Sequence, residues 1–270
     1  MTTPSPTRLP ATLEWLPADG QPPALLLVLL HGWGASAQDM APLARTLHQQ
    51  FPRAVIVAPD GFEPLDGAGT TPLAGRQWFS LTGEAGGRLS DDERPARVDA
   101  MLPRLADWLR AAQAAWGIEP QATALFGFSQ GAIVSLELVQ RHDGLCGRVL
   151  AFSGRYARLP EATLQHTTLH FFHGADDPVI PADHARAAME RLQQLQGDAT
   201  IDIASGVGHA MPPALVQCAL QRLTSHIPRR TWLAAMGAAG GEGAESAESA
   251  ESAAGEDGPA APPTPSTPSH

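Results

Sequence analysis

The stretch "LFGFSQGA", residues 125–132, decides how this chain is read. An apolar run leads into Gly127-Phe128-Ser129-Gln130-Gly131, and a helix-forming segment follows. G-x-S-x-G is short enough to occur by chance, so its meaning rests on what surrounds it. A strand that turns sharply into a helix crowds the positions flanking the turn, and only small residues fit there. Gly127 and Gly131 satisfy that demand. Ser129 is then held on the bend with its hydroxyl exposed, and the helix N-terminus beneath it offers free N–H groups to developing negative charge.

Outward from this stretch, other short apolar runs also end at turn residues. "ALLLVLL" (24–30), "AVIVAPD" (54–60), "ATALFGF" (122–128), "RVLAFSG" (148–154), "TLHFFHG" (168–174) and "ATIDIAS" (199–205) read as buried parallel strands. "ATLEWLP" (11–17) alternates more and reads as an edge strand. Helices are predicted over "RPARVDAMLPRLADWLRAAQAAWG" (94–117), "QGAIVSLELVQRH" (130–142), "ADHARAAMERLQQLQG" (182–197) and "PALVQCALQRLTSHI" (213–227). In the first of these, Val98, Met101, Leu102, Leu105, Trp108 and Leu109 share one face, and Ser90 with Glu93 forms a capping-box signature. Pro103 predicts a kink, or a break near the first turn. Strand–helix alternation implies an α/β fold, a mostly parallel central sheet with helices on both faces. Sites in such sheets form beyond the carboxyl ends of the strands.

That rule selects partners for Ser129. A neutral serine needs a base and an orienting acid, and in this strand–turn–helix setting the order along the chain is serine, acid, histidine. Of His184, His209, His226 and His270, only His209 lies in a loop directly after a strand, in "ASGVGHAMPP", where Gly206 and Gly208 free the loop. The preceding strand ends in "HGADDPVIP"; Asp177, with Pro178 fixing the turn, is the chosen acid, and Asp176 is the adjacent alternative. His173, Asp176 and Asp177 lack a second ligand group at matching spacing, so no metal is expected and His173 reads as structural. A second oxyanion donor is expected from "LLHGWGAS" (29–36). The candidate donors are the backbone N–H groups of Trp33 and of Gln130, whose own amide side chain is not expected to matter.

Composition sets the outer limits. The chain has 270 residues, 43% hydrophobic and 17% charged, which suits a globular domain with a sizeable core. All 18 basic residues are arginine, which excludes Schiff-base lysine and P-loop chemistry. The net charge is −10, and nothing suggests a nucleic-acid surface. Cys146 and Cys218 are too few and too far apart for a disulfide framework. No apolar run is long enough to span a bilayer and no signal peptide is evident, so a cytoplasmic location is expected. The expected organisation is a flexible N-terminus (1–10), one domain (11–235) and a disordered acidic Ala/Glu/Ser/Pro-rich tail (236–270).

With these residues assembled, the chain resembles the phospholipase/carboxylesterase family of α/β-hydrolases, relatives of acyl-protein thioesterases and lysophospholipases. "LLHGWG", "GFSQGA", "HGADDPVIP" and "GVGHAM" match its blocks. "AGRQWFS" (74–80), "RPARVDAMLP" (94–103) and "FSGRYARLPE" (152–161) look like the bacterial YpfH-type esterase branch. The resemblance covers roughly residues 10–232. It implies a cofactor-free α/β-hydrolase domain with Ser129 as nucleophile, Asp177 as acid, His209 as base and Trp33 and Gln130 as oxyanion donors. The expected function is a serine carboxylesterase acting on small-molecule esters. The alternatives are a thioesterase or lysophospholipase on the same residues and a non-catalytic scaffold that recruits a partner through its tail. The connection after "RVLAFSG" is too short for a cap domain, which predicts an open site. Trp78, Phe79 and Met211 are candidate substrate contacts near its mouth, with Trp33 and Phe128. Arg76 is a candidate for a substrate anion or for a structural ion pair.

Overall fold

The computed structural model describes residues 12–17, 20–67, 75–234 and 236. The expected flexible N-terminus and, apart from Met236, the expected acidic tail lie outside the described residues. The chain divides into two units, Met1–His226 and Ile227–His270. In the second, residues 229–234 are helical.

The first unit alternates strand and helix. Its strands are β1 (Thr12–Trp15), β2 (Leu25–Leu30), β3 (Ala54–Pro59), β4 (Glu63–Pro64), β5 (Arg76–Gln77), β6 (Thr123–Phe128), β7 (Arg148–Phe152), β8 (Thr168–Gly174) and β9 (Ala199–Ala204). Its α-helices are α1 (Ala41–Gln50), α2 (Arg94–Trp116), α3 (Gln130–Arg141), α4 (Asp183–Gln194) and α5 (Pro213–Ser225). Seven strands form one sheet in the order β1-β3-β2-β6-β7-β8-β9, while β4 and β5 make a separate ribbon. Every pairing in the large sheet is parallel except the antiparallel edge pair β1–β3. Residues 153–167 connect β7 to β8 without a helix, so no cap domain is inserted there.

Strand alternation divides the core in two. Leu26, Val28, Leu30, Val55, Val57, Leu125, Val149, Leu169 and Phe171 face α2, α3 and α4. Leu27, Leu29, Ile56, Phe126, Leu150, Phe152 and Phe172 face α1 and α5. Being apolar on both faces is what makes these strands continuous hydrophobic runs.

The structure departs from the sequence-based expectations at several elements. β9 is an edge strand, half-buried along its length rather than enclosed. Helix α1 was not predicted, because only Leu43, Ala44 and Leu47 of "APLARTLHQQ" are buried and so narrow an apolar face gives a faint signal. Helix α2 runs unbroken through Pro103. That residue lies on the exposed side, where water can meet the carbonyl left unpaired by its missing N–H. The Ser90–Glu93 box does form, with the Ser90 N–H donating to Glu93 at 2.9 Å and the Glu93 N–H to Ser90 at 3.3 Å, but it closes the turn that precedes α2.

The amino ends of the strands are tied by a polar cluster. Arg148 donates to His170 Nε2 at 3.1 Å and to the His226 carbonyl at 3.0 Å. A histidine that accepts from a guanidinium is neutral, so His170 Nδ1–H donates to Thr200 Oγ1 at 2.8 Å. Burial, reinforced by the Arg148 charge, holds His170 down to about 3. The unfolded chain therefore binds a proton on this residue before the folded chain does. Its contribution to stability is complete above about pH 6.5 and declines as pH falls toward 3, by roughly 1.4 kcal/mol per pH unit for one proton. Urea unfolding between pH 7 and pH 4.5 should show this dependence in the native chain. His170→Asn should lower stability at pH 7 and make the decline shallower by about one proton; an unchanged slope would remove His170 as its source.

Candidate active site

Ser129 sits between the end of β6 and the start of α3 with φ 52° and ψ −114°. A non-glycine residue there costs on the order of 1–3 kcal/mol and persists only where its surroundings enforce it. Those surroundings are backbone packed on backbone. A Cβ on Gly127 would lie 2.5 Å from the Gly131 carbonyl oxygen and 2.6 Å from the Ala132 nitrogen. A Cβ on Gly131 would overlap the Leu30 carbonyl and come within 2.7 Å of that of His31. The Ser129 N–H donates to the Phe152 carbonyl of the neighbouring strand at 2.9 Å. The bend is thus locked between β2, β6 and β7 at their carboxyl edge.

Two further predicted residues reach Ser129 from the same edge. His209 Nε2 lies 2.9 Å from Ser129 Oγ, and His209 Nδ1 lies 2.7 Å from Asp177 Oδ2. With Nδ1–H donating to the carboxylate, Nε2 is left to accept the serine proton. Asp177 is buried, and its Oδ1 accepts the N–H groups of Val179 and Ile180, both at 2.9 Å. Burial raises its pKa, but the Ile180 N–H, His209 and the Val179 N–H outweigh that and hold it below the ordinary carboxylate value. Asp176 is exposed, and its backbone N–H donates to the Val207 carbonyl at 3.0 Å. His173 Nε2–H donates to the Ile180 carbonyl at 2.7 Å and lies 3.4 Å from Asp177 Oδ2, which bolts down the turn that carries Asp177.

The glycines of the His209 loop divide differently from expectation. Gly206 adopts φ 73°, a left-handed conformation that glycine takes without strain. A Cβ on Gly208 would meet nothing closer than 3.9 Å, so that position has room for one. The glycine that sequence reading missed is Gly174, the last residue of β8. A Cβ there would overlap the carbonyls of both Val207 and Gly208. Its bareness lets the histidine loop lie directly on the acid-bearing strand.

The loop after β2 runs against the serine, since a Cβ on Gly32 would sit 3.3 Å from Ser129 Cβ. Buried His31 holds this loop. Its Nε2 accepts the Gly61 N–H at 2.7 Å, which leaves Nδ1–H to donate to the Gly32 carbonyl at 2.7 Å. Among the described residues, neither the Trp33 nor the Gln130 N–H donates to another backbone group. Both residues line the cavity that holds Ser129 and His209. The Gln130 side chain does have a role, contrary to expectation. Its Oε1 accepts the Trp78 N–H at 2.8 Å and its Nε2 donates to the Phe79 carbonyl at 2.7 Å, which pins the 78–79 loop to α3.

The cavity, about 1020 Å³, is also lined by Asp66, Phe79, Leu89, Arg94, Arg155 and His184. Of the candidate substrate contacts, Phe79 lines it and Trp33 stands half-exposed at it. Trp78 does not line it. It is fully buried, its indole N–H donates to the His31 carbonyl at 2.9 Å, and Phe62 packs edge-on at 5.4 Å. Arg76 belongs to the β4–β5 ribbon, and its Nε donates to the Gly61 carbonyl at 3.0 Å. Met211 lies with Phe128 in a second cavity of about 440 Å³, lined also by His31 and Gly32. Phe128 packs its ring 4.9 Å from the His209 imidazole.

Comparison with known proteins agrees with this architecture. Esterase YpfH of Escherichia coli (strain K12) is 43% identical over 209 residues, 77% of this chain and 86% of that protein. Acyl-protein thioesterase 1 of Gibberella zeae is 30% identical over 105 residues, 36% of this chain and 45% of that one. The crystal structure of esterase PE8 superposes with a TM-score of 0.69 at 28% identity, covering 81% of this chain and 99% of that chain. A carboxylesterase from Mesorhizobium loti, at 21% identity and TM-score 0.61 over 74% of this chain and 88% of that one, shares the fold. The family model described as phospholipase/carboxylesterase matches residues 15–227, and the chain belongs to that family of α/β-hydrolase enzymes.

Proposed function

We propose that this esterase is a serine carboxylesterase that works through an acyl-enzyme on Ser129. The observation that carries the reading is the unbroken chain from Ser129 Oγ to His209 Nε2 at 2.9 Å and from His209 Nδ1 to Asp177 Oδ2 at 2.7 Å. Ser129 Oγ attacks the ester carbonyl carbon while His209 Nε2 takes its proton. The tetrahedral oxyanion forms against the backbone N–H groups of Trp33 and Gln130. His209 then returns the proton to the departing alkoxide, and the ester C–O bond breaks. Water, deprotonated by the same Nε2, attacks the acyl-enzyme; its collapse releases the acid and restores the serine proton. Asp177 keeps Nδ1 protonated and stabilises the imidazolium at each step. The open cavity without a cap admits small esters. It also suits acyl groups on larger carriers, which is the observation favouring thioester hydrolysis as a second reading.

Ser129→Ala should keep the melting temperature close to native and lower kcat for short p-nitrophenyl esters by about 10³-fold or more. Retention of most of the activity would sink the mechanism. Asp177→Asn should cost on the order of 10⁴-fold in kcat, because an amide favours the wrong imidazole tautomer, whereas Asp176→Asn should stay within about twofold. The reverse ranking would exchange the two carboxylates. Gly174→Ala should lift the His209 loop and lower kcat by about 10²-fold in a chain that still folds. Unaltered kinetics in that variant would show that the loop needs no such close approach.

A further inference from the structure

One wall of the cavity is unlike the rest. Arg88, Arg94 and Arg155 line it together with His184 and a single carboxylate, Asp91. Arg94 begins α2. Arg155 follows β7 by three residues, and β7 neighbours the strand that ends at Ser129: Phe152 is paired with Phe128. Strand spacing of about 4.8 Å therefore starts the Arg155 segment beside the nucleophile's bend. The course of that segment is enforced, since Ser153 adopts φ 46° and Gly154 presses on the Ala132 side chain.

The charges on this wall do not balance. Asp91 Oδ1 accepts from Arg94 Nη2 at 2.9 Å and from Arg155 Nη2 at 2.5 Å, so one oxygen serves two guanidiniums. The Asp91 side chain is 76% exposed, whereas those of Arg94 and Arg155 are 11% and 14% exposed. Arg155 Nη1 donates to His184 Nε2 at 3.3 Å, so His184 accepts and is neutral there. The Arg94 Nε is buried and has no hydrogen-bond partner among the described residues. Burial first, and then the adjacent Arg155 and Arg88 charges, press the Arg94 guanidinium below its ordinary value, with Asp91 acting in the opposite sense. Asp66, the cavity's other carboxylate, is occupied by Gln77, Ser80 and Thr82. Two nearly buried guanidiniums on one largely exposed carboxylate, with exposed Arg88 beside them, leave desolvated positive charge on the cavity wall. A planar fork of this kind binds carboxylate and phosphate oxygens strongly.

We infer that Arg94 and Arg155, with Arg88 at the rim, form an oxyanion subsite of the substrate cavity. The ester or thioester it accepts then carries a carboxylate or phosphate group beyond the scissile bond. The inference rests on the Ser129 reading for the hydrolysis itself and adds the class of substrate.

Matched ester pairs test it. p-Nitrophenyl hydrogen glutarate is compared with its neutral methyl glutarate counterpart, and 4-butyryloxyphenyl phosphate with its neutral dimethyl phosphate triester. The native chain should favour at least one anionic partner by about tenfold or more in kcat/KM, roughly 1.4 kcal/mol. The arm that responds distinguishes carboxylate from phosphate. In Arg155→Gln the anionic-to-neutral ratio should fall about tenfold, and Arg155→Lys should recover part of it. Should Arg155→Gln fail to fold by circular dichroism, inhibition of the native chain takes its place: glutarate should compete at least about ten times better than uncharged glutaramide. A ratio near one in both arms, or equal inhibition by the two, overturns the subsite. If neutral esters are still turned over and Ser129→Ala abolishes it, the hydrolase reading stands without the subsite. If no ester is turned over at all, both fall.

Discussion

The contact on which the rest depends is the packing of Gly131 against the carbonyls of Leu30 and His31. There α3 crosses the end of β2 with no room for even one carbon atom. This approach holds Ser129 in its strained conformation, and it brings the loop that begins at His31 alongside the serine. The strain at φ 52° is local, but three parallel strands share in maintaining it through Leu30, Gly127 and Phe152. Parallel pairing matters because it delivers all these chain ends to one edge. The acid at the end of β8 and the histidine after β9 arrive there by the same rule.

The loops at that edge are stiffened by buried side chains. His31 joins Gly32 to Gly61, Gln130 joins α3 to the 78–79 loop, and His173 fixes the Ile180 turn. Each is a buried polar side chain bonded to backbone, which positions a loop more firmly than apolar contact alone. The opposite edge has its own polar cluster around His170, remote in function and open to titration.

Much of this was legible in the sequence. Six of the strands and four of the helices announce themselves as apolar runs and periodic faces. Ser129, Asp177 and His209 could be singled out because each follows a strand in a required order. Close approaches between segments distant in sequence could not be read. Gly174 looks like any glycine at a strand end until Val207 and Gly208 are laid across it. Trp78 and Phe79 are adjacent and similar in sequence, yet the chain's path buries the first in the core and turns the second to the cavity. Arg76 was the arginine singled out for an anion, but it is spent on the Gly61 carbonyl, whereas Arg94 and Arg155 converge only after folding.

In the proposed mechanism Ser129 carries the reacting oxygen. Treatment of the folded chain with a fluorophosphonate, followed by peptide mass mapping, tests this directly. A single adduct on the peptide containing Ser129, formed in step with loss of esterase activity, is the predicted result. Undiminished ester turnover with Ser129 unmodified, or an adduct on another serine that accounts for the lost activity, would contradict it.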